Sequence, residues 1–200
     1  MAAPSVRPSV ATYSYLRASR FDPRDAGLAL ETSGGPAPHP RFFDGYLGAP
    51  AAVAAGLLAV TAVAMNRYDR TAEGGAGGLD PVVTSGDGRL RFESFSRCNG
   101  VYARLDVLPA GLDGDILGHG TTNVDVNPPL RAALTRVRGL DPIHLGVGPD
   151  EVTVRTFDGE LVERKVPLPV RWLRGFAEAQ AITAGFEARA ELARAGGDGE

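Results

Sequence analysis

The sequence predicts an α+β fold: an antiparallel sheet of five or more strands packed by two main helices, about 50–70 and 169–194, and one short helix, about 128–137. Three observations carry that prediction. The stretch 89–127, RLRFESFSRCNGVYARLDVLPAGLDGDILGHGTTNVDVN, alternates apolar and polar residues at the period of two expected of half-buried strands. Two other stretches space their apolar residues by threes and fours, as a helix with one buried face does. Asn99-Gly100 and Asp158-Gly159 are tight-turn pairs, which join sequence neighbours as antiparallel partners.

Taken in order, residues 1–11 are rich in Pro, Ser and Ala and read as a flexible tail, as do 195–200; residues 12–194 read as one domain. Residues 12–16 and 27–31 read as short strands, separated by a turn at Asp22-Pro23. Residues 32–50 are broken by glycine and proline and read as a loop. That loop holds Phe42, Phe43, Tyr46 and Leu47, which a solvated linker does not need, so its aromatics are expected to plug into the core. Val53, Leu57, Val60, Ala64 and Tyr68 make the stripe of the first helix, with Pro50 in its first turn. Residues 71–88 read as a flexible glycine-rich connection.

The strands follow. Leu90, Phe92 and Ser94 alternate with Arg89, Arg91 and Glu93. Val101, Ala103, Leu105 and Val107 alternate with Tyr102, Arg104, Asp106 and Leu108. A loop at 109–114 leads to a third strand within 116–127, with Gly118 and Gly120 marking a bulge or bend. Asn127 is placed to cap the short helix. Residues 143–147 read as a strand, and 151–157 with 160–166 as a hairpin whose register the pattern leaves open. Trp172, Phe176, Ala179, Thr183 and Phe186 stripe the last helix, and Arg174 pairs with Glu178 four residues on.

Composition narrows the function. The chain has 200 residues, 44% of them hydrophobic and 22% charged, with a net charge of −3. That balance argues against a nucleic-acid binder, which normally carries a basic excess. Lys165 is the only lysine, and Cys98 the only cysteine. One cysteine rules out a disulfide within the chain and points to a reducing, cytoplasmic setting. The opening residues lack the apolar core of a secretory signal. The uncharged run 49–65 is shorter than the ~20 residues of a membrane span and is largely alanine.

The most site-like stretch is GHGTTNVDVN, 118–127. As a strand it puts Thr121, Asn123, Asp125 and Asn127 on one face and Thr122, Val124 and Val126 on the other. With His119 as a base or metal ligand and Arg104 from a neighbouring strand, that face is a candidate ligand shelf. The competing reading is a solvated strand face. Cys98 reads as a small residue tucked at a strand end, since a nucleophilic cysteine needs a base to hold its thiolate. Arg164, Lys165, Arg171 and Arg174 form a basic cluster beside Trp172, a candidate contact for phosphate or an acidic partner. His39, His119, His144 and Cys98 show no metal-ligand spacing, and no phosphate-loop, dinucleotide or serine-elbow motif is present.

Four strings, TSGGPAPHPRFF, LRFESFSRCNGVYARLDVLPAGLDG, GHGTTNVDVNPPLRAAL and VERKVPLPVRWLRGFAEAQ, together resemble the N-terminal region of bacterial SWIM zinc finger family proteins, over residues 12 to 189. That family is named for C-x-C followed by C-x-H, further toward the C-terminus. One cysteine cannot build this motif, so no zinc ligand carries over. The resemblance implies no cofactor in this chain, with zinc expected only if such a motif follows. Family members are similar to components encoded beside MoxR-type AAA ATPases and von Willebrand A-domain proteins, which implies a protein partner. The expected function is a non-catalytic interaction or adaptor module. The alternatives are a small-ligand binder or enzyme using His119, Asn123, Asp125 and Arg104, and a weak nucleic-acid binder using Arg171 and Arg174.

Overall fold

The structure, a computed structural model, describes residues 20–22, 27–29, 41–65, 81–96, 98–166 and 168–188. The elements in chain order are β1 (Arg20–Asp22), β2 (Gly27–Ala29), β3 (Phe43–Leu47), α1 (Pro50–Met65), β4 (Val82–Gly86), β5 (Arg89–Phe95), β6 (Tyr102–Val107), β7 (Leu112–Ile116), β8 (Gly120–Asn123), α2 (Pro128–Arg136), β9 (His144–Val147), β10 (Glu151–Thr156), β11 (Gly159–Arg164), β12 (Leu168–Pro169) and α3 (Val170–Thr183). The fold is α+β, as the sequence predicts. Its main strands divide into two antiparallel sheets, in the orders β11-β10-β9-β3-β7 and β6-β5-β4-β8. A small third sheet joins β1, β2 and β12. A bridge from Val124 to Lys165 and a hydrogen bond from Val166 N–H to Asn123 O, 3.0 Å, tie the two main sheets together.

The core lies where the inner faces of both sheets meet α1 and α2. Phe42 and Phe43 are fully buried there, with Leu90, Ile143, Leu145 and Val147. Each such side chain contributes roughly 1.5–3 kcal/mol by leaving water. The α1 stripe is buried as predicted at Val53, Leu57, Val60 and Ala64; Tyr68 lies outside the described residues. The small residues of α1 let it sit low on the sheet. A Cβ at Gly56 would lie 2.9 Å from the Leu105 side chain, and Ser94 Oγ donates to Val60 O at 2.6 Å.

Several expectations are corrected. Residues 43–47 are not loop but β3, hydrogen-bonded between β9 and β7. The plugging of Phe42, Phe43 and Leu47 is as expected, while Tyr46 is exposed. Part of the expected flexible connection 71–88 is β4, and Asp87-Gly88 is the turn of a β4–β5 hairpin. Both turn residues have positive φ, 50° and 74°, the combination that a right-twisted two-residue hairpin selects. The expected loop 109–114 is strand from Leu112 onward, as β7, and the third strand expected within 116–127 is confined to β8, in the other sheet. β7 pairs with β3, and β8 pairs with β4 on the side away from β6. Residues 89–127 are therefore no continuous meander. Gly120 serves close packing rather than a bend, because the Phe42 ring fills the place its Cβ would take. The last helix ends at Thr183 rather than near 194, leaving through a turn at Ala184 and Gly185. The Thr183 hydroxyl bonds back to Ala179 O at 2.8 Å, a local side-chain alternative to the helix ladder. Phe186 is consequently off the stripe and 68% exposed.

The hairpin β10–β11 forms with Val154 opposite Leu161 and Val152 opposite Glu163, the register the pattern left open. Asn127 caps α2 as predicted, its Oδ1 accepting from Leu130 N–H at 3.0 Å. The tails 1–11 and 195–200, the strand at 12–16, the end of the first helix at 66–70 and the last helix beyond 188 lie outside the described residues.

Candidate functional site

The outer face of the four-stranded sheet is where the structure gathers its polar chemistry. Strand alternation sends Leu90, Phe92, Ser94, Val83 and Thr122 into the core. Their neighbours Val82, Thr84, Arg91, Glu93, Tyr102, Arg104, Thr121 and Asn123 face the other way and line a groove. The register sets them in rows across the sheet: Asn123, Val82, Glu93 and Arg104 in one, Thr121, Thr84, Arg91 and Asp106 in the next.

Helix α3 roofs the groove. Trp172 is 1% exposed and packs its ring 5.8 Å from Phe95; the Phe176 ring lies 5.0 Å from Phe95. Gly175 lets the helix come down on that ring, since a Cβ there would lie 3.0 Å from Phe95. Leu168, Phe176 and Ala179 complete the apolar side of a cavity of about 280 Å³.

The polar side is a connected network. Arg91 Nε donates to Asp106 Oδ1 at 2.8 Å, and Arg104 Nε donates to Asp106 Oδ2 at 2.9 Å. Arg104 Nη2 donates to the same oxygen. Tyr102 Oη donates to Glu93 Oε1 at 2.5 Å, and the hydroxyls of Thr84 and Thr121 are 3.1 Å apart. Burial pushes the Asp106 carboxyl up, yet hydrogen bonds from Arg104 and Arg91 and their charges together outweigh it and hold its pKa below the ordinary value. Burial, then the bond to Glu93 and its negative charge, push the Tyr102 phenol well above its ordinary value. Tyr102 is therefore a fixed donor rather than a base, and Asp106 a fixed anion that orients two guanidinium forks.

The predicted shelf is only partly assembled. Arg104 and Asn123 line the groove. Asn123 is buried, and its side-chain amide donates to Val166 O, so it also fastens the end of β8 to the segment before α3. His119 is exposed and sits over Gly86, near the turn of the β4–β5 hairpin. Asp125 is exposed beyond the end of β8. Neither lines the groove. Of the basic cluster, Arg174 is exposed and pairs with Glu178 Oε1 at 2.8 Å, the predicted i,i+4 contact; the Arg171 side chain lies outside the described residues. Cys98 is exposed rather than tucked away, with its Sγ 3.4 Å from Ser96 Oγ.

In the sequence Arg91, Glu93, Tyr102 and Asp106 are ordinary outward positions of their strands. Their signal was present in the alternation, but only the register shows that a cation on one strand meets an anion on the next. Among the described residues, no group of three or more His, Cys, Asp or Glu is placed to hold a metal ion. Among them too, no helix is long and apolar enough to cross a membrane.

No protein-family model matches the chain, and no curated protein matches it. Among solved structures, the chain is similar to that of DNA polymerase III subunit beta from Borrelia burgdorferi in complex with a natural product. The TM-score is 0.43 at 9% identity, over 67% of this chain and 32% of that one, a likeness too distant to carry an argument about function.

Proposed function

We propose that this chain is a non-catalytic interaction module whose binding site is the groove between α3 and the β6-β5-β4-β8 sheet. One observation carries the reading. A cavity of about 280 Å³ has a preorganised arginine–aspartate network on one side and an apolar helix face on the other. Few convergent polar groups set in an otherwise apolar concavity are the usual make-up of a binding site. The polar groups are already engaged with one another, which suits holding a ligand more than transferring a proton. The resemblance to SWIM zinc finger family proteins supports an adaptor role, with a MoxR-type AAA ATPase or a von Willebrand A-domain protein as the proposed partner.

The test is binding of the purified chain to each purified partner, with and without a plug in the groove. Ala179→Trp places a large ring where Ala179 lines the cavity. Loss of binding in that variant, with the melting temperature retained, supports the reading. Equal binding by the plugged chain removes the groove from the function.

A further inference from the structure

The sheet side of the groove offers more strong donors than acceptors. Asp106, which clamps both guanidiniums, is not among the groove-lining residues; Arg91 and Arg104 are. A guanidinium carries five N–H donors. Asp106 takes Nε of Arg91 and Nε and Nη2 of Arg104, which leaves most of both forks. The lining carboxylate, Glu93, lies opposite Arg104 in register and already accepts from Tyr102. The two cations are held in place by a carboxylate behind the wall, and among the described residues a single lining carboxylate opposes them.

Size narrows the occupant. At ~30 Å³ per water, the cavity holds the equivalent of about nine waters, enough for one small organic group. Across from the arginines stand Phe176 and Ala179. A group that satisfies both sides has an anionic fork-shaped end and a compact apolar body.

We propose that the groove binds an organic carboxylate with a compact apolar body, its carboxylate held by Arg91 and Arg104 and its body lying against Phe176 and Ala179. The proposal rests on the reading of the groove as a binding site and names the chemistry that site selects. Arginine forks match carboxylates by paired N–H donors, which a lysine does not reproduce. Asp106 is a positioning residue. The same chemistry is presented by the last residue of a peptide chain and by a free short-chain acid.

The experiment uses the full chain and four probes: hexanoate, hexanamide, the tripeptide Gly-Gly-Leu as free acid, and the same tripeptide as C-terminal amide. Binding is read from backbone amide NMR shifts and from fluorescence of Trp172, the only tryptophan, whose ring centre lies 6.3 Å from that of Phe176. The expected result is saturable shifts at Arg91, Arg104, Phe176 and Ala179 with at least one acid, and amides weaker by roughly tenfold or more, since each amide forfeits a charge-assisted hydrogen bond. Arg91→Gln with Arg104→Gln is expected to abolish the preference for acids. Should that pair fail to fold, Arg104→Lys is expected to keep the charge and lose most of the affinity. Which acid binds more tightly identifies the source. If acid and amide bind the groove equally, the carboxylate assignment is overturned while the groove remains a binding site. If no probe moves the groove residues and Ala179→Trp leaves partner binding intact, the binding-site reading falls with it.

Discussion

At the scale of single residues, the most consequential group outside the groove is Glu163. It sits on β11 at 4% exposure, and its Oε2 accepts from Asn127 Nδ2 at 3.0 Å. Its Oε1 is buried without a hydrogen-bond partner among the described residues. Burial raises its pKa from the ordinary 4.5 to about 7, against the lowering effect of the Asn127 backbone N–H and with a further rise from the Asp125 charge. The folded chain thus holds this proton more tightly than the unfolded chain does. The stabilising contribution is complete below about pH 4.5 and is lost as pH rises through about 7. Glu163→Gln removes the titration and keeps an acceptor for Asn127. Thermal melts from pH 5 to 8 should show the wild-type chain losing stability relative to the variant as pH rises; parallel curves would refute this account. Asn127 links that carboxyl to α2, because its Oδ1 caps Leu130 N–H. Asn127→Ala should cost ~1 kcal/mol in denaturant unfolding, from the lost cap alone.

At the scale of elements, two close approaches decide how strands and helices meet. Gly45 of β3 faces Gly114 of β7, and a Cβ on Gly45 would lie 2.5 Å from the Gly114 backbone. Backbone cannot yield as a side chain can. Gly45→Val should therefore break the β3–β7 ladder and lower the midpoint of unfolding sharply, whereas Tyr46→Thr, at the exposed next position, should change it little. On the other sheet, Gly175 lets α3 rest on Phe95. Gly175→Val is expected to cost ~1–3 kcal/mol by overpacking. It should also lift the roof of the groove, seen as a red shift of Trp172 emission. Unchanged emission would mean that α3 does not depend on that contact.

At the scale of the whole molecule, two antiparallel sheets share one main core, and α3 forms a second, smaller cluster with Val82, Phe95, Leu168, Trp172 and Ala179. The main core draws on many elements far apart in sequence, the smaller one on few. Local opening scales with the apolar contacts that must be given up. Amide hydrogen exchange should accordingly be slowest at Phe43, Leu145, Val147 and Val154, and faster along α3. Equal protection in both regions would contradict this division.

Alternation and stripe were enough to mark β5, β6, β10, β11 and the buried face of α1, because those patterns follow from geometry within one segment. Asn127 was legible as a cap and Arg174 as the partner of Glu178 for the same reason: the partners are three and four residues away. β3 was not legible, because its glycine reads as a loop residue until Gly114 is seen pressed against it. β4 does not stand out in the sequence, although Asp87-Gly88 is as strong a hairpin pair as Asp158-Gly159, because a glycine run precedes it. The splitting of 112–123 between two sheets, the pairing of β8 with β4, and the meeting of Arg91, Arg104 and Asp106 belong to the tertiary structure alone. A strand's period says which residues share a face, and nothing in it says which strand lies alongside. The groove is a product of that second choice, so a polar face that reads as solvated in one dimension becomes the wall of a groove roofed by α3 in three.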